Sequence, residues 1–340
     1  MVVTVRWREW LLGLLHRFGL NFSNAGAKIA PMDSRARAIV LVVPCLFLVA
    51  RSGFAWGAQG HRVVARIAAK NLSQVARTKL AAILGTNDAG LDAAMAQAAT
   101  WPDDIDKTKT GSRNWHFIDV PVSKPFSTAG LCALHDCVID QIANMRNRLA
   151  ANLKGFTLKA PPNPPRPMTS QEVAFLVHFV GDLHQPLHAS TNGDRGGNCV
   201  GLTNPIAHAN GDQATTELHA AWDVDEVLAV FKKHGDSEDQ TAATLFERFK
   251  SGAPVAQSTV TGWARESNAM ARKDIYQKLH LPNRTAPAGQ CAPGIAPVSI
   301  DQAYLDGNIA DVEQRLLQAG IRLSNVLNQI CAGVGCKANP

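Results

Sequence analysis

The stretch from Val173 to Val180 constrains the fold most, because it is apolar on nearly every side. A helix with this pattern has to be buried on all faces, since any exposed face would leave apolar surface in water. Thr169 and Glu172 have the spacing of a capping box, which predicts the start of the helix. Pro186 ends or kinks it. The sequence therefore predicts other elements packed around one central helix.

The chain after residue 55 shows mainly helical spacing. Apolar residues recur at three- and four-residue steps in 61–83, 137–153 and 309–330, which is typical of helices with one buried face. Alternation with a period of two, the mark of a half-buried strand, is scarce. The sequence therefore predicts a single all-α domain.

Three stretches are predicted to be loops. Five prolines in 161–167 exclude a helix or a central strand there. The stretch 190–211 is rich in Gly and Asn and reads as a long loop, and 281–300 is also loop-rich. Long loops on a helical scaffold are common places for binding residues.

Residues 32–55 have the pattern of a secretory signal peptide. Two arginines precede an apolar run from Ala38 to Ala50, and the small residues Gly53 and Ala55 occupy positions before the cleavage site. The apolar run is too short to span a bilayer. The pattern predicts cleavage before Trp56, which would leave 56–340 as the mature domain. Residues 1–31 are an upstream extension before Met32 and suggest a mis-assigned translation start.

Positive charge is concentrated in the same front segment. The whole chain carries a net charge of +6, but residues 1–55 contain seven basic residues against two acidic ones. Bulk charge therefore gives no reason to expect a particular partner. Cleavage predicts a secreted or periplasmic protein. The alternative is that the front segment remains as an amphipathic helix on a membrane surface.

Six cysteines remain after residue 55, and an even number fits an oxidising compartment. They are Cys132, Cys137, Cys199, Cys291, Cys331 and Cys336. The five-residue spacing of the first and last pairs suits two local disulfide loops, which leaves Cys199 and Cys291 for each other. Fifteen pairings are possible in principle. Metal binding by these cysteines is the alternative, although no Cys-x-x-Cys spacing is present.

Two histidine–carboxylate pairs share helical spacing. His178 and Asp182 lie four residues apart on the predicted buried helix, and His219 and Asp223 repeat that spacing. Each pair therefore lies on one helix face. A buried carboxylate is costly unless it is paired or binds a metal. One such pair is commonly a structural hydrogen bond, but two pairs indicate zinc ligation.

Three further residues add to this set. His188 follows Pro186, His116 lies in a Trp-His-Phe sequence, and Asp103 follows a Trp-Pro pair. Together with the two pairs they supply only nitrogen and oxygen donors, which suits a catalytic rather than a thiolate-rich structural zinc site.

Here the sequence resembles the zinc-dependent S1/P1 single-strand nucleases of fungi, plants and bacteria from Trp56 to the last helix. The motifs that carry the resemblance are Trp56-Gly-Ala-Gln-Gly-His61, Trp101-Pro-Asp103, Asn114-Trp-His116-Phe-Ile-Asp119, His178-Phe-Val-Gly-Asp182-Leu-His-Gln-Pro-Leu-His188, Gly193-Asp-Arg-Gly-Gly-Asn198 and Leu218-His219-Ala-Ala-Trp-Asp223. The resemblance implies a mainly helical domain with three zinc ions in a cleft. It also implies an endonuclease for single-stranded DNA and RNA that leaves 5′-phosphates and has 3′-nucleotidase activity.

The resemblance also implies which residues hold each ion. The first ion would take Asp103, His116, His178 and Asp182. Asp182 would bridge to a second ion, held by His61 and the free amino group and carbonyl of Trp56. The third ion would take His188, His219 and Asp223. Two metals a few ångströms apart can activate a water, and a third can stabilise the leaving oxygen.

Phe117 and Asp119 match the base-binding pair of the family, with Phe117 stacking on a base and Asp119 bonding to its edge. Stacking on an exposed aromatic ring would explain a preference for single strands. The alternative is that Phe117 belongs to the core. Asp103 would orient the attacking water as well as bind metal.

Two features depart from the family pattern. The family often has Arg or Lys three residues after the Asp of the first ion, where this chain has Asp106, with Lys107 next to it. Either Lys107 takes over the phosphate contact, or the charge of the transition state is stabilised less than in the family. The interval from His188 to His219 also looks long, which would reshape one rim of the cleft.

Two other functions compete with the nuclease. A zinc phospholipase C shares the three-ion architecture and an N-terminal Trp but typically has Glu where Asp223 stands. A non-catalytic zinc-binding protein would need the same ligands without turnover. The expected partners are single-stranded DNA, RNA and 3′-nucleotides as substrates, and the chain is expected to be a monomer.

Overall fold

The computed structural model describes residues 56–152, 168–208 and 213–338. Its α-helices are α1 (Ala58–Lys70), α2 (Gln74–Ile83), α3 (Leu91–Asp104), α4 (Lys107–Thr110), α5 (Val138–Ala151), α6 (Met168–His184), α7 (Leu218–Ala220), α8 (Glu226–Lys233), α9 (Glu238–Lys250), α10 (Val260–Met270), α11 (Gln302–Asp306) and α12 (Ile309–Ala332). The predicted signal segment, the upstream extension and the proline-rich stretch 161–167 lie outside the described residues. The fold is mostly helical, as predicted from the spacing.

Helix α6 is the centre of the molecule. Its residues from Thr169 to His184 are buried, and it packs against α3, α5, α10 and α12. The helix ends at His184, just before Pro186, as predicted. It begins at Met168, so Thr169 lies within the first turn and not at the cap position. Burial on every side explains why nearly all positions of this helix are apolar.

Helices α1 and α12 close the core on the other side. Helix α1 packs against α3 and α12, and the 24-residue α12 also contacts α6. The apolar positions of α12, among them Val312, Leu316 and Leu323, are buried, which confirms the predicted helical face. This arrangement places the start of α1, with Trp56 and His61, beside the buried end of α6.

Three short helical segments connect these elements near the buried end of α6. They are the 3₁₀ turns Arg113–His116 and Pro186–Ala189 and the π-helical segment Ala221–Asp225, which joins α7 to α8. Segments of this kind commonly occur at functional sites. A second π-helical segment, Ala271–Gln277, continues α10.

The stretch 190–211 is not entirely a loop, which corrects the sequence prediction. Strand β1 (Gly201–Ile206) pairs antiparallel with β2 (Thr215–Glu217). The backbone of β1 also exchanges hydrogen bonds with Val298, at 2.8 and 2.9 Å. Val298 is distant in sequence and β1 has no apolar alternation, so local pattern gave no sign of a strand. The stretch 281–300 is loop-rich, as predicted.

The structure joins the six cysteines as Cys132–Cys137, Cys199–Cys291 and Cys331–Cys336. The second bond closes 92 residues and ties the loop after α6 to the loop-rich stretch. Disulfides of this kind are typical of oxidising compartments. Within the described ranges, no helix has both the length and the apolar character needed to cross a bilayer.

Candidate metal centre

Five predicted ligands from four elements meet at the end of α6. They are His61 of α1, Asp103 of α3, His116 of a 3₁₀ turn, and His178 and Asp182 of α6. Oδ2 of Asp182 lies 3.0 Å from Nδ1 of His116. Oδ1 of the same carboxylate lies 3.2 Å from Nε2 of His61 and 3.3 Å from Nε2 of His178. The two oxygens of Asp182 thus face different histidines.

Asp103 completes this first cluster. Its Oδ1 lies 3.5 Å from Nε2 of His178 and 3.8 Å from Nδ1 of His116. The rings of His61 and His178 stack with their centroids 3.9 Å apart. Gly181 leaves room for this stack, because a Cβ at that position would lie 2.7 Å from Nδ1 of His61. The donor atoms of this cluster are therefore held within reach of one or two shared ions.

A second cluster contains the three predicted ligands of the third ion. Nε2 of His188 lies 3.1 Å from Nε2 of His219, and Nε2 of His219 lies 3.3 Å from Oδ2 of Asp223. All three residues are buried. Asp223 belongs to the π-helical segment, and His219 lies four residues earlier in α7. The sequence spacing therefore does bring both side chains to one point.

Backbone carbonyls fix the protonation of both histidines in this cluster. Nδ1 of His188 donates to the carbonyl of His116 at 2.7 Å, and Nδ1 of His219 donates to the carbonyl of Gly196 at 2.6 Å. The Nε2 atoms of His188 and His219 therefore carry lone pairs that face each other. Neither can donate to the other, and this contact is favourable only with a cation between them. His178 is fixed in the same way, by the carbonyl of Ala99 at 2.7 Å.

Several buried acceptor atoms of the two clusters form no hydrogen bond within the described part of the chain. They include Nε2 of His61, Oδ1 of Asp182 and Oδ2 of Asp223. Buried polar atoms are rarely left unpaired. These atoms all point toward the other ligands, which is the arrangement expected of metal-binding residues. The donor set therefore fits zinc, which prefers nitrogen and oxygen ligands at catalytic sites.

Burial lowers the pKa of three of the predicted ligand histidines. It lowers the pKa of His188 to about 3, with His219 adding to the effect. It also lowers the pKa of His116 and of His219 to about 4. For Asp182, burial alone would raise the pKa, but His178 and the other histidines outweigh it and the pKa falls well below its usual range. Burial also acts on His178, but the charges of Asp182 and Asp103 outweigh it and raise its pKa, whereas burial raises the pKa of Asp223 well above its usual range. At neutral pH, His116, His188 and His219 are therefore neutral imidazoles and Asp182 is a carboxylate, which are forms that bind metal.

Gln185 supports the second cluster, and sequence reasoning gave it no role. Its side-chain amide donates to Oδ1 of Asp223 at 2.6 Å, leaving Oδ2 directed toward His219. Its side-chain oxygen accepts from the backbone N–H of Leu187 at 2.5 Å and so caps the 3₁₀ turn that carries His188. Gln185 therefore orients two predicted ligands, Asp223 and His188. The only sign of this role in the sequence is that Gln185 lies within the family motif from His178 to His188.

The structure explains the departure at Asp106 and Lys107. Asp106 caps α4, where its carboxylate accepts hydrogen bonds from the backbone N–H groups of Thr108 and Lys109. Nζ of Lys107 lies 2.5 Å from Oδ1 of Asp103. The residue at the usual basic position is thus used for capping, and the next residue brings an ammonium group to the first cluster. This geometry is consistent with the role expected of Lys107.

Phe117 and Asp119 lie on the same side of an extended segment. Phe117 and Asp119 are half-buried, whereas their neighbours Ile118 and Val120 are buried. This alternation is expected because successive side chains of extended backbone point to opposite sides. Phe117 is not among the side chains that pack against the core. The segment is held beside the second cluster because the N–H of Ile118 donates to the carbonyl of His188 at 2.8 Å. This arrangement favours the base-binding interpretation of Phe117 over the core alternative.

Trp56 is fully buried at the start of α1. Its carbonyl oxygen accepts from the N–H of His61 at 3.3 Å. A Cβ on the next residue, Gly57, would lie 3.1 Å from the carbonyl oxygen of Asp223. The Trp56–Gly57 backbone therefore lies against the backbone of His61 and of Asp223, one predicted ligand from each cluster.

Two buried His/Asp clusters on a helical scaffold, linked through His116, are typical of a metalloenzyme. A model of the family described as S1/P1 Nuclease matches residues 56–332, and the chain belongs to this family. It is therefore a hydrolytic nuclease whose substrates are nucleic acids. The sequence resemblance to that family is confirmed.

Named relatives agree with the family. The chain is 28% identical over 296 residues to Nuclease P1 of Penicillium citrinum, covering 81% of this chain and 97% of that protein. It is 28% identical over 309 residues to Nuclease S1 of Aspergillus oryzae, covering 84% and 94%. It is 26% identical over 285 residues to Endonuclease 3 of Arabidopsis thaliana, covering 81% and 88%.

Proposed function

We propose that the mature chain is an exported endonuclease that hydrolyses single-stranded DNA and RNA to 5′-phosphate products. We further propose that it removes phosphate from 3′-nucleotides and that it works with three zinc ions. The observation that carries this proposal is the geometry of Asp182, whose two oxygens face different histidines, next to a separate His/His/Asp cluster. A bridging carboxylate and a nearby third site are suited to a phosphodiester held by several cations.

We propose a division of the ligands among three ions. Asp103, His116, His178 and Asp182 would hold the first ion, and Asp182 would share the second with His61 and the amino and carbonyl groups of Trp56. His188, His219 and Asp223 would hold the third. Bound zinc would lower the pKa of a coordinated water and neutralise negative charge on phosphate oxygens.

The chain's own residues would position the substrate around the ions. Asp103 accepts a hydrogen bond through the oxygen that faces the first cluster, and the same group would orient the attacking water. Lys107 would place its ammonium near the phosphate, from its position 2.5 Å from Asp103. Phe117 would stack on a base whose edge bonds to Asp119. A base in a duplex is stacked and paired on these surfaces, so the site would favour single strands.

The experiment that tests this function is digestion of single-stranded DNA, RNA and phosphatidylcholine by the chain from residue 56, with analysis of the ends. We expect cleavage of both nucleic acids, 5′-phosphate and 3′-hydroxyl ends, and release of phosphate from 3′-nucleotides. Expulsion of the 3′ oxygen leaves phosphate on the 5′ side. Products with 3′-phosphate ends would contradict this mechanism, and cleavage of the lipid alone would favour the phospholipase.

Metal removal should affect both activity and stability. We expect three zinc ions per mature chain by elemental analysis, and chelation should abolish cleavage until zinc is restored. Chelation should also lower the melting temperature, because the ion would no longer compensate the facing lone pairs of His188 and His219 and the charge of Asp182. Active protein with one zinc or none would rule out the three-ion site, and zinc-loaded protein that cleaves nothing would favour a binding protein.

Export is part of the same proposal. Three disulfides fit an oxidising compartment, and the segment before Trp56 has the pattern of a cleaved signal. We propose that the protein is secreted or periplasmic after cleavage before Trp56 and acts as a monomer.

A further inference from the structure

Asn268 of α10 joins the two chain segments that carry the base-binding pair and the proposed third ion. The residue is 1% exposed. Its side-chain NH₂ donates to the carbonyl of Val120 at 3.0 Å and to the carbonyl of Ala189 at 3.1 Å. The same nitrogen lies 3.2 Å from Oγ of Ser190. The proposed function gives this buried amide no role.

Each of the two carbonyls comes directly after a residue of the proposed site. Val120 follows Asp119, which would bond to the base edge. Ala189 follows His188, which would hold the third ion. Both carbonyls belong to fully buried residues, and a buried carbonyl is costly unless it is bonded. The amide of Asn268 has two hydrogens to donate, so one side chain can bond both carbonyls and tie the two segments together.

The backbone around Asp119 departs from a regular ladder. The N–H of Val120 donates to the carbonyl of Ile118 at 2.9 Å, which closes a γ-turn centred on Asp119. Before this turn, the N–H of Ile118 donates to the carbonyl of His188 at 2.8 Å. After it, the N–H of Thr191 donates to the carbonyl of Val120 at 3.0 Å. The position of Asp119 therefore depends on how the γ-turn is held against the chain that follows His188.

The third-ion side of this contact has further supports of its own. The 3₁₀ turn Pro186–Ala189 is capped by the side-chain oxygen of Gln185. Nδ1 of His188, within that turn, donates to a backbone carbonyl at 2.7 Å. Loss of the bridging amide would therefore release the γ-turn of Asp119 more than it would disturb His188.

We infer that Asn268 is a positioning residue for the base site: it sets the distance between the γ-turn that carries Asp119 and the turn that carries His188. A base bound at Asp119 would then place its 3′-phosphate at the metal centre, and errors of about an ångström in such placement are costly. The inference rests on the proposed function, in which Asp119 contacts the base. Asn268 acts through the two backbone carbonyls that it bonds.

The test measures how much a base improves the substrate. It compares kcat/KM for deoxyadenosine 3′-phosphate with kcat/KM for the same sugar phosphate without its base, using the zinc-loaded chain from residue 56. The ratio of the two values reports the base site, because the phosphate, the metal and the attacking water are common to both substrates. For the wild type we expect a ratio of about ten or more, since stacking acts on the base alone.

Asn268→Leu keeps the approximate shape of the side chain and removes both donors. We expect the ratio to fall about fivefold, while kcat/KM for the base-free substrate stays within about twofold of the wild type and the zinc content is unchanged. Asn328→Leu is the matched control. The amide of Asn328 also donates to a backbone carbonyl, that of Asn71 at 3.1 Å, but it joins α12 to the end of α1. This control should lose stability and keep the wild-type ratio.

The outcomes separate the inference from the function on which it rests. An unchanged ratio in folded Asn268→Leu, or an equal fall in Asn328→Leu, would overturn the role of Asn268 and leave the base site intact. A wild-type ratio near one would instead refute the base site, and failure to release phosphate from either substrate would refute the proposed 3′-nucleotidase activity, and the inference with them.

A second variant covers the case in which Asn268→Leu does not fold. Asn268→Ser has a side chain too short to bond both carbonyls, so it should lower the ratio in the same direction. Failure of both variants to fold would overturn the inference, because Asn268 would then hold the fold and not the site.

Discussion

Replacement of Asp182 with Asn is expected to reduce cleavage of single-stranded DNA by more than about a hundredfold. The two oxygens of Asp182 lie 3.2 Å from His61 and 3.0 Å from His116, so the variant removes a negative charge between two proposed ion positions. The side-chain NH₂ of Asn would also face one of these positions as a donor and not as a ligand. Steady-state kinetics and zinc content per chain measure both consequences.

Glu226→Gln is the matched control for this variant. Glu226 is also fully buried, and its Oε1 accepts from the side-chain amide of Asn308 at 2.8 Å, a bond that Gln can keep. Burial raises the pKa of Glu226 to about 8, so the group is mostly neutral at pH 7 and the amide changes little charge. We expect nearly wild-type activity and full zinc content. Equal losses in both variants would mean that general disturbance of the core, and not a lost ligand, inactivates the enzyme.

A chain that keeps residues before Trp56 is expected to be nearly inactive. The free amino group of Trp56 is a proposed ligand of the second ion, and in a longer chain the same nitrogen is an amide whose lone pair is delocalised. The amine has a pKa of about 8, so protons compete with zinc for it below neutrality. The comparison uses a chain that begins at Trp56 and one that retains Met-Ala before it, both refolded with zinc.

The extended chain should contain one zinc fewer and should gain activity when a protease removes the extra residues. That recovery is the control for misfolding, because it uses the same protein sample. Full activity of the uncleaved chain would refute the N-terminal ligand, whereas the cluster of His188, His219 and Asp223 would be unaffected. The proposed cleavage before Trp56 would then have to be explained by export alone.

Much of the fold followed from local spacing. The buried helix could be predicted because eight consecutive positions with little polarity leave no face for water, and His178 and Asp182 could be paired because a helix brings residues four apart together. The hairpin of β1 and β2 could not be predicted from local spacing. Its strand β1 also bonds to the backbone of Val298, more than ninety residues later in the chain. Pairing over such distances leaves no local periodicity.

The candidate site was also predictable only in part. The identity of the ligands could be predicted from residue types and motif order, but their protonation could not. The carbonyl of Ala99 fixes the ring of His178 from 79 residues away, and that of Gly196 fixes His219. The capping role of Asp106 could not be predicted either, because it depends on α4 beginning at Lys107. Gln185 lies inside a family motif, yet only the structure shows what it contacts.

His116 belongs to both clusters through different atoms. Its Nδ1 faces Asp182 in the first, and its carbonyl oxygen holds the ring of His188 in the second. An ion that fixes the His116 ring therefore also steadies the backbone that orients His188. Loading of the metal positions should consequently be cooperative, with the first ion raising the affinity for the others and partly filled chains scarce at limiting zinc. Such coupling would make the enzyme respond to zinc supply as a threshold rather than in proportion.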